Sequence, residues 1–458
     1  MPNAGQSTGL IEALGANEEA LDMTRLCLEW LGLPDLRSLR CVSRELSVLA
    51  REAVRSPGWL SQPAHREALQ LASWSDGCYT RRKYAHTALA DVYCVCVDGH
   101  FLASGGRDRR AQLWNLRSEE CLSLMHASPV TCVALRGDHL ATGCDLGNIR
   151  LYAVRTGSLR GEIKAHMFAV TGLKWFAPDL SAASGGDCGG GGGGGAPVGR
   201  GGSARDQGGG GSSDEGPDGG PLELLSSGLD RNLHRWVLAA GARWDGIGAT
   251  GRQAASSNLE ETASMAAALE QQSLPHKRVI RALACEGIVA ATGSDDGIVK
   301  LWARTARAGL VLQQQLPATL PTSGEVTPIT CVAVHAARGC ALASCVAAAT
   351  ASGAIVVFGL ARRKGRLIVA AQLKCTGTVH ALALSAPSTL VTASGQRGTN
   401  KLQVWDLRDN SQRKVVAWLD GPMSAVLSLW ARHGRIACGD QSGQIQLWEQ
   451  PAELSPAR

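Results

Sequence analysis

The sequence predicts an all-β protein that closes into a ring of seven small antiparallel sheets, a seven-bladed β-propeller, preceded by a small α-helical region. Three observations carry this. Seven runs of small residues, turn residues and alternating apolar positions each end in an aromatic, at Trp114, Tyr152, Trp236, Trp302, Phe358, Trp405 and Trp448. Upstream of most lies a further short apolar strand, as at residues 130–135, 170–175, 329–334, 379–384 and 426–430. The aromatics recur on a base period of about 40 residues, stretched where insertions fall, which is the spacing of four-stranded propeller blades.

The best copies are LASGGRDRRAQLW, LSSGLDRNLHRW and ATGSDDGIVKLW, closing at Trp114, Trp236 and Trp302. Each reads strand, tight turn, strand. Asp108, Asp230 and Asp296 stand six places before those tryptophans, with His86, His166 and His276 upstream and Ser104, Ser226 and Thr292 between. In these features the chain resembles the WD-repeat family over about residues 78–450. By that resemblance the Trp, Ser or Thr, His and Asp of blades one, three and four form a buried network. The physics agrees, because a buried indole N–H, His or Asp left unpaired is costly. A His with a Ser and an Asp also suggests a hydrolase triad, but three near-identical copies at repeat spacing favour the structural role. Blade two keeps His126 and Thr142, yet Asp145 comes one place early and Tyr152 replaces Trp; Ser352, Thr399 and Ser442 replace Asp in blades five to seven. Those blades are expected to lean on apolar packing.

Closure needs an outer strand for blade seven. The residues after Trp448 include Pro451 and Pro456 and are poor strand material, whereas residues 78–84 precede His86 as residues 120–125 precede His126. The N-terminal piece is therefore expected to complete the last blade, leaving 451–458 as a tail. Two insertions interrupt the ring. Residues 177–221, with Gly189 to Gly195 and Gly208 to Gly211, have the composition of a disordered loop. Residues 239–273 hold LEETASMAAALEQQ behind a Ser257–Glu260 capping-box spacing, which predicts a helix.

The chain of 458 residues carries 12 tryptophans against four Phe and four Tyr, is 19% charged, and has a net charge of +6. It shows no Lys/Arg block, so nucleic acid is not an expected partner. Its 15 cysteines lack paired zinc-site spacing and read as small buried apolar residues of a reducing compartment. No secretory leader and no long apolar run is visible, which predicts a cytoplasmic or nuclear protein without a membrane partner. Neither a metal site nor a cofactor is expected: the Gly-rich stretches lack the Lys-Ser or Lys-Thr of a nucleotide loop.

Ahead of the ring, residues 1–18 read as disordered, 19–60 as a compact helical piece and 61–77 as a helical linker. Leu28, Leu31, Leu36, Leu39, Val42, Leu46 and Leu49 keep helical spacing around the turn at Gly32 and Pro34. So short a piece is expected to dock on something. It resembles an F-box, through Leu31, Pro34-Asp35-Leu36, Leu39, Val42-Ser43-Arg44 and Ser56-Pro57-Gly58-Trp59. It departs from that pattern at Glu19-Ala20, where a Leu-Pro pair is usual, and at Leu46, where Trp is common.

F-box followed by WD repeats is the domain order of substrate receptors in SCF ubiquitin ligases. The resemblance implies a non-catalytic subunit in which Leu31, Leu33, Pro34, Leu36, Leu39 and Val42 contact the adaptor that leads to the cullin, while the propeller holds a protein substrate. Loops between second and third strands share one rim, which assigns Arg107, Arg109, Arg110, Arg231 and Arg397 to it. That set suits a phosphorylated or acidic degron, the alternative being ordinary solvated arginines. Other readings are a helical cap on a plain WD scaffold, or a receptor for a different cullin ligase through Trp405-Asp406-Leu407-Arg408, which resembles that ligase's W-D-x-R box.

Overall fold

The computed structural model describes residue 53 and residues 63–86, 90–176, 222–238, 269–305, 309–318, 327–336, 343–361, 365–375, 377–396, 399–408, 414–419 and 424–451. Within them lie seven four-stranded antiparallel sheets. Six are simple meanders: blade one over 92–125, two over 130–164, three over 170–275, four over 280–317, five over 329–374 and six over 378–419. Blade seven takes three strands from 426–449 and its outer strand from Thr80–Ala85, which pairs with Gln444–Glu449 from Thr80↔Glu449 to Ala85↔Gln444. Each innermost strand contacts the next, and Val426–Arg432 of blade seven contacts Val92–Asp98 of blade one. The ring is closed, so no sheet face is left open where the ends meet.

Two repeated devices pack one blade against the next. Between the first and second strands of every blade the register slips by one residue, as at Val92/Cys94, Val130/Cys132 and Val426/Ser428; such a bulge sharpens the local twist of the inner strand. The residue it displaces in blade two, Thr131, sends its hydroxyl to Gly143 O at 3.2 Å and to Val170 O of blade three at 2.6 Å. Second, a glycine late in the second strand lets the first residue of the following blade approach. A Cβ on Gly105, Gly143, Gly293 or Gly439 would come within 2.4, 3.0, 2.6 or 2.5 Å of Val130, Val170, Ile329 or Val92. Between blades three and four lies a charged joint: buried Glu223 accepts from Arg235 Nε and Nη2 and from Arg304 Nε of blade four, all at 2.8 Å.

Pro63–Ser75 is a helix, opened by Pro63, whose missing N–H is harmless at a first position, and closed before Gly77, whose φ of 69° suits the left-handed helix end. Leu71 and Trp74 pack with Val391, Val404, Leu419 and Trp448 of blades six and seven. Glu67 accepts from Ser388 N at 2.9 Å and from the Ser388 hydroxyl, and Gln450 donates to Gln70 O at 2.7 Å. The helix is thus fastened to the seam where the ring closes.

One expectation is corrected. The run predicted as a helix ends inside a strand: Leu269–Pro275 pairs from Asn232↔Pro275 to Leu238↔Leu269 as the outer strand of blade three. Helix-forming residues there are overridden by the partner strand's unpaired edge, since propensity is a weak prior against tertiary pairing. The rest of the two insertions, the expected disordered stretch at 1–18, the tail beyond 451, and the F-box-like residues 19–60 apart from Ala53 lie outside the described residues. Among the described residues the cysteines are free thiols. Burial pushes Cys132, Cys285 and Cys331 up to about 12, although Cys78 and Cys121 are exposed. No described helix is long and apolar enough to cross a membrane.

Candidate protein-binding rim

Blade three carries the complete network. His166 Nε2 meets Ser226 Oγ at 2.9 Å, its Nδ1 meets Asp230 at 3.0 Å, and the Trp236 indole donates to Ser226 Oγ at 2.9 Å. Burial lowers the His166 pKa, with Asp230 pulling the other way. Burial alone would raise Asp230, but His166 and the N–H groups of Asn232 and Met167 outweigh it and hold the carboxyl low. In blade one His86 spans Ser104 at 2.5 Å and Asp108 at 3.0 Å, beside the Trp114 ring. Blade four differs from expectation. Trp302 donates to Thr292 at 2.9 Å and Thr292 meets His276 at 3.2 Å, but His276 Nδ1 and Asp296 Oδ2 are both buried without a partner. Without a carboxylate to oppose it, burial followed by Lys300 drives His276 down to about 3.

The other blades vary the theme. Tyr152 reaches His126 at 3.4 Å in blade two. In blade six Trp405 donates to Thr392 at 3.0 Å, and Cys375 stands where the His would be, its thiol donating to Gln403 at 3.7 Å. Ala318 takes that position in blade five, since its N–H donates to Gly297 O as the His166 N–H donates to Gly147 O. In blade seven Cys438 replaces the Ser or Thr, and the Trp448 indole nitrogen is left unpartnered.

These networks tie the loop that enters each blade to the turn between its second and third strands, so both lie on one rim and are held rigidly. They are not active sites. Ser226 is wholly buried and its oxygen is taken by the Trp236 indole, which leaves no room for a substrate carbonyl. His166, Asp230 and His234 offer atoms within 4.8 Å of one another, a spacing a metal could use. Both nitrogens of His166 and the Asp230 carboxylate are already engaged in the network, so a metal would have to dismantle it.

Of the rim arginines, Arg107, Arg109 and Arg110 share one turn of blade one. Arg107 lies 3.9 Å from Asp91 and Arg110 donates to Ser123 at 3.1 Å. Arg109 and Arg231 hold the same turn position in blades one and three, with φ of 62° and 69°. Arg231 thus stands two blades from the cluster, and Arg397 lies outside the described residues. The sequence reading missed the apolar part of the rim, formed by Leu146 in the blade two turn and Met167 and Phe168 in the loop entering blade three. It also missed Lys277 and Arg278 in the loop entering blade four. On Trp405-Asp406-Leu407-Arg408, Arg408 folds back on Asp406, Nη2 to Oδ2 at 2.7 Å and Nε to Oδ1 at 3.0 Å.

Seven four-stranded sheets in a closed ring, with Trp–Ser/Thr–His–Asp networks fixing one rim, define a seven-bladed WD40-type propeller, a fold that typically serves as a non-catalytic surface for protein interaction. Part of the chain is also similar to known WD-repeat sequences. The family model for the WD domain, G-beta repeat, matches residues 77–115. Telomerase protein component 1 of Rattus norvegicus is 28% identical over 125 residues, 26% of this chain and 5% of that protein. The p21-activated protein kinase-interacting protein 1-like of Xenopus laevis is 30% identical over 112 residues, 24% of this chain and 29% of that protein. WD repeat-containing protein 82 of Drosophila melanogaster is 33% identical over 93 residues, 20% of this chain and 29% of that protein. The matches therefore span well under half the length of each relative. The crystal structure of the computationally designed Ika8 protein aligns with a TM-score of 0.46 at 15% identity, covering 80% of this chain and 97% of that one.

Proposed function

We propose that the chain is the substrate-recognition subunit of an SCF-type ubiquitin ligase, with residues 19–60 contacting the cullin's adaptor and the propeller rim holding a substrate segment. What supports this reading is the presence, in one chain, of the F-box-like residues ahead of a closed WD propeller. The helix Pro63–Ser75, which follows those residues in the chain, is fastened to the propeller through Glu67 and Trp74. Such a subunit acts by raising the effective concentration of substrate beside the ubiquitin donor, and needs no nucleophile or cofactor of its own.

Affinity purification of the wild-type chain beside a Leu33, Pro34 and Leu36 triple-alanine variant, scored by mass spectrometry, tests it. Cullin and adaptor should be recovered with the wild type and lost with the variant; their absence from the wild-type sample would refute the ligase reading. The competing reading, a scaffold for complex assembly, is favoured by the relatives that are named as a component of telomerase and as a kinase-interacting protein. The W-D-x-R reading is disfavoured by the bidentate hold of Asp406 on Arg408, which another ligase would have to break.

A further inference from the structure

Successive blades carry different chemistry at one equivalent place, the two residues after the network His. Blade two has Ala127 and Ser128, blade three has Met167 and Phe168, and blade four has Lys277 and Arg278. Met167 is 79% and Phe168 57% exposed, and Leu146 in the adjoining turn is 55% exposed. The three are neighbours because the Leu146–Gly147 backbone packs on theirs. Gly147 O accepts from Ala165 and His166, and a Cβ on Gly147 would stand 2.2 Å from His166 O and 2.6 Å from Phe168 O.

The apolar loop is pinned on its other side too. Met167 N donates to Asp230 at 3.3 Å, and Leu229 N donates to Ala169 O at 3.0 Å. Large apolar side chains on a backbone this constrained lose little freedom when a partner covers them, the condition under which exposed residues become binding hot spots.

The electrostatics run along the same line. Past Phe168 come Arg231 and then, through the His276 N–H bond to Arg231 O, Lys277 and Arg278. Among the described residues none of these three cations has an ion-pair partner. Of the acids on the neighbouring turns, Asp230 is taken up by His166 and the N–H groups of Met167 and Asn232, Asp295 by Arg281, and Asp296 accepts from the Ile298 N–H. The rim therefore passes from apolar to cationic across blades two to four.

We propose that this stretch binds an acidic segment of a partner protein that carries a large apolar anchor, the anchor covering Met167, Phe168 and Leu146 and the acids facing Arg231, Lys277 and Arg278. The site begins in blade two, next to the blade-one turn of the Arg107 cluster, and its cations lie on the far side, in the turn of blade three and the loop entering blade four. The proposal rests on the rim's being a protein-binding face and not on the ligase connection. Charge complementarity of this kind sets orientation and partner choice more than raw affinity, so the acids should lie on one side of the anchor only.

The test is selection of a random dodecapeptide display library on the purified full chain, with fluorescence anisotropy on the enriched peptides. The expected consensus is an aromatic or aliphatic anchor with acids to one side. Its affinity should fall at least about tenfold in Met167→Ala/Phe168→Ala, as for loss of a hot spot, and weaken as salt is raised. The Arg231→Glu/Lys277→Glu/Arg278→Glu variant should select basic residues beside the same anchor, a gain that misfolding cannot mimic.

No enrichment, a consensus without acids, or a consensus unchanged in both variants would overturn the proposal. So would single-stranded RNA displacing the selected peptides at lower concentration than a scrambled acidic peptide. Because no ligase component is present, failure of the SCF reading leaves this result standing, and the reverse also holds.

Discussion

Blade seven lacks the hydroxyl that blades three, four and six place beneath their closing tryptophan, and Cys438→Ser is expected to supply it. In those blades the indole donates to Ser226 at 2.9 Å, Thr292 at 2.9 Å and Thr392 at 3.0 Å. The registers match: Leu224↔Trp236 with Ser226↔His234 in blade three, and Ile436↔Trp448 with Cys438↔Gln446 in blade seven. Trp448 is 0% exposed, and its indole N–H has no partner. A new hydroxyl would also find an acceptor, because Thr142 and Thr292 donate to the carbonyls of Arg150 and Lys300 opposite them, where Gln446 stands in blade seven.

Relieving an orphaned buried donor is worth about 1–3 kcal/mol. Exchanging an apolar thiol for a hydroxyl takes back part of that, so the net gain should be about 1 kcal/mol. Ser226→Ala runs the same bond in reverse and strands both the Trp236 indole and His166 Nε2, at a cost of about 3 kcal/mol from two such groups. Guanidinium titration followed by tryptophan fluorescence should show the midpoint rising for Cys438→Ser and falling for Ser226→Ala with unchanged slope. A neutral or lower midpoint for Cys438→Ser beside the expected loss for Ser226→Ala would refute the claim that the Trp448 N–H lacks an acceptor.

Two further predictions concern charge. Glu223→Gln should lower stability by about 3 kcal/mol, because it removes the buried carboxylate that Arg235 and Arg304 share. Adding Arg235→Met should recover most of that loss in the same titration, and an unchanged midpoint for the single variant would show the pair to be net neutral. Lowering the pH should destabilise the ring through its buried neutral histidines. Burial, with Arg150, takes His126 to about 4; burial, with His166, takes His234 to about 4; burial, with Lys300, takes His276 to about 3. The unfolded chain binds protons from about pH 6.5 downward while the folded one does not, so stability held above that pH is lost progressively towards pH 4. Denaturation midpoints between pH 7.5 and 4.5 should show it, and His276→Gln should reduce the slope by about 1.4 kcal/mol per pH unit.

Much of the ring was legible because it is written in side chains that repeat. The closing aromatics fixed the blade count, and the similarity between residues 78–84 and 120–125 pointed to the strand that completes blade seven. The networks of blades one and three could be read because each uses four residue types at set spacing. What escaped depends on neighbours in space. Cys375 and Ala318 could not be recognised as stand-ins for His without the backbone bonds that place them. The missing contact between His276 and Asp296 has no trace in a sequence that keeps both residues.

Glu223, Arg235 and Arg304 lie on two blades and carry no shared motif. The strand at Leu269–Pro275 was hidden behind Leu, Glu and Gln, which favour helices when alone. Met167 and Phe168 are apolar residues just ahead of the strand at residues 170–175, and a sequence does not show whether such residues are covered. Only the turn at Gly147, pressed against their backbone, leaves them in solvent.

The pairing of Thr80–Ala85 with Gln444–Glu449 also sets an order of events during synthesis. The strand that finishes the last sheet is made before any other strand of the ring, and its partner is made last. Each of blades one to six can assemble from consecutive sequence as it leaves the ribosome. Thr80–Ala85 meanwhile waits as an unpaired edge through the synthesis of nearly the whole propeller, and then pays the loop-closure cost of a very distant contact. Translation stopped anywhere before Glu449 would leave an open ring with that strand still seeking a partner. Its sequence, Thr-Arg-Arg-Lys-Tyr-Ala, is suited to the wait, since three successive cations discourage pairing with the wrong edge.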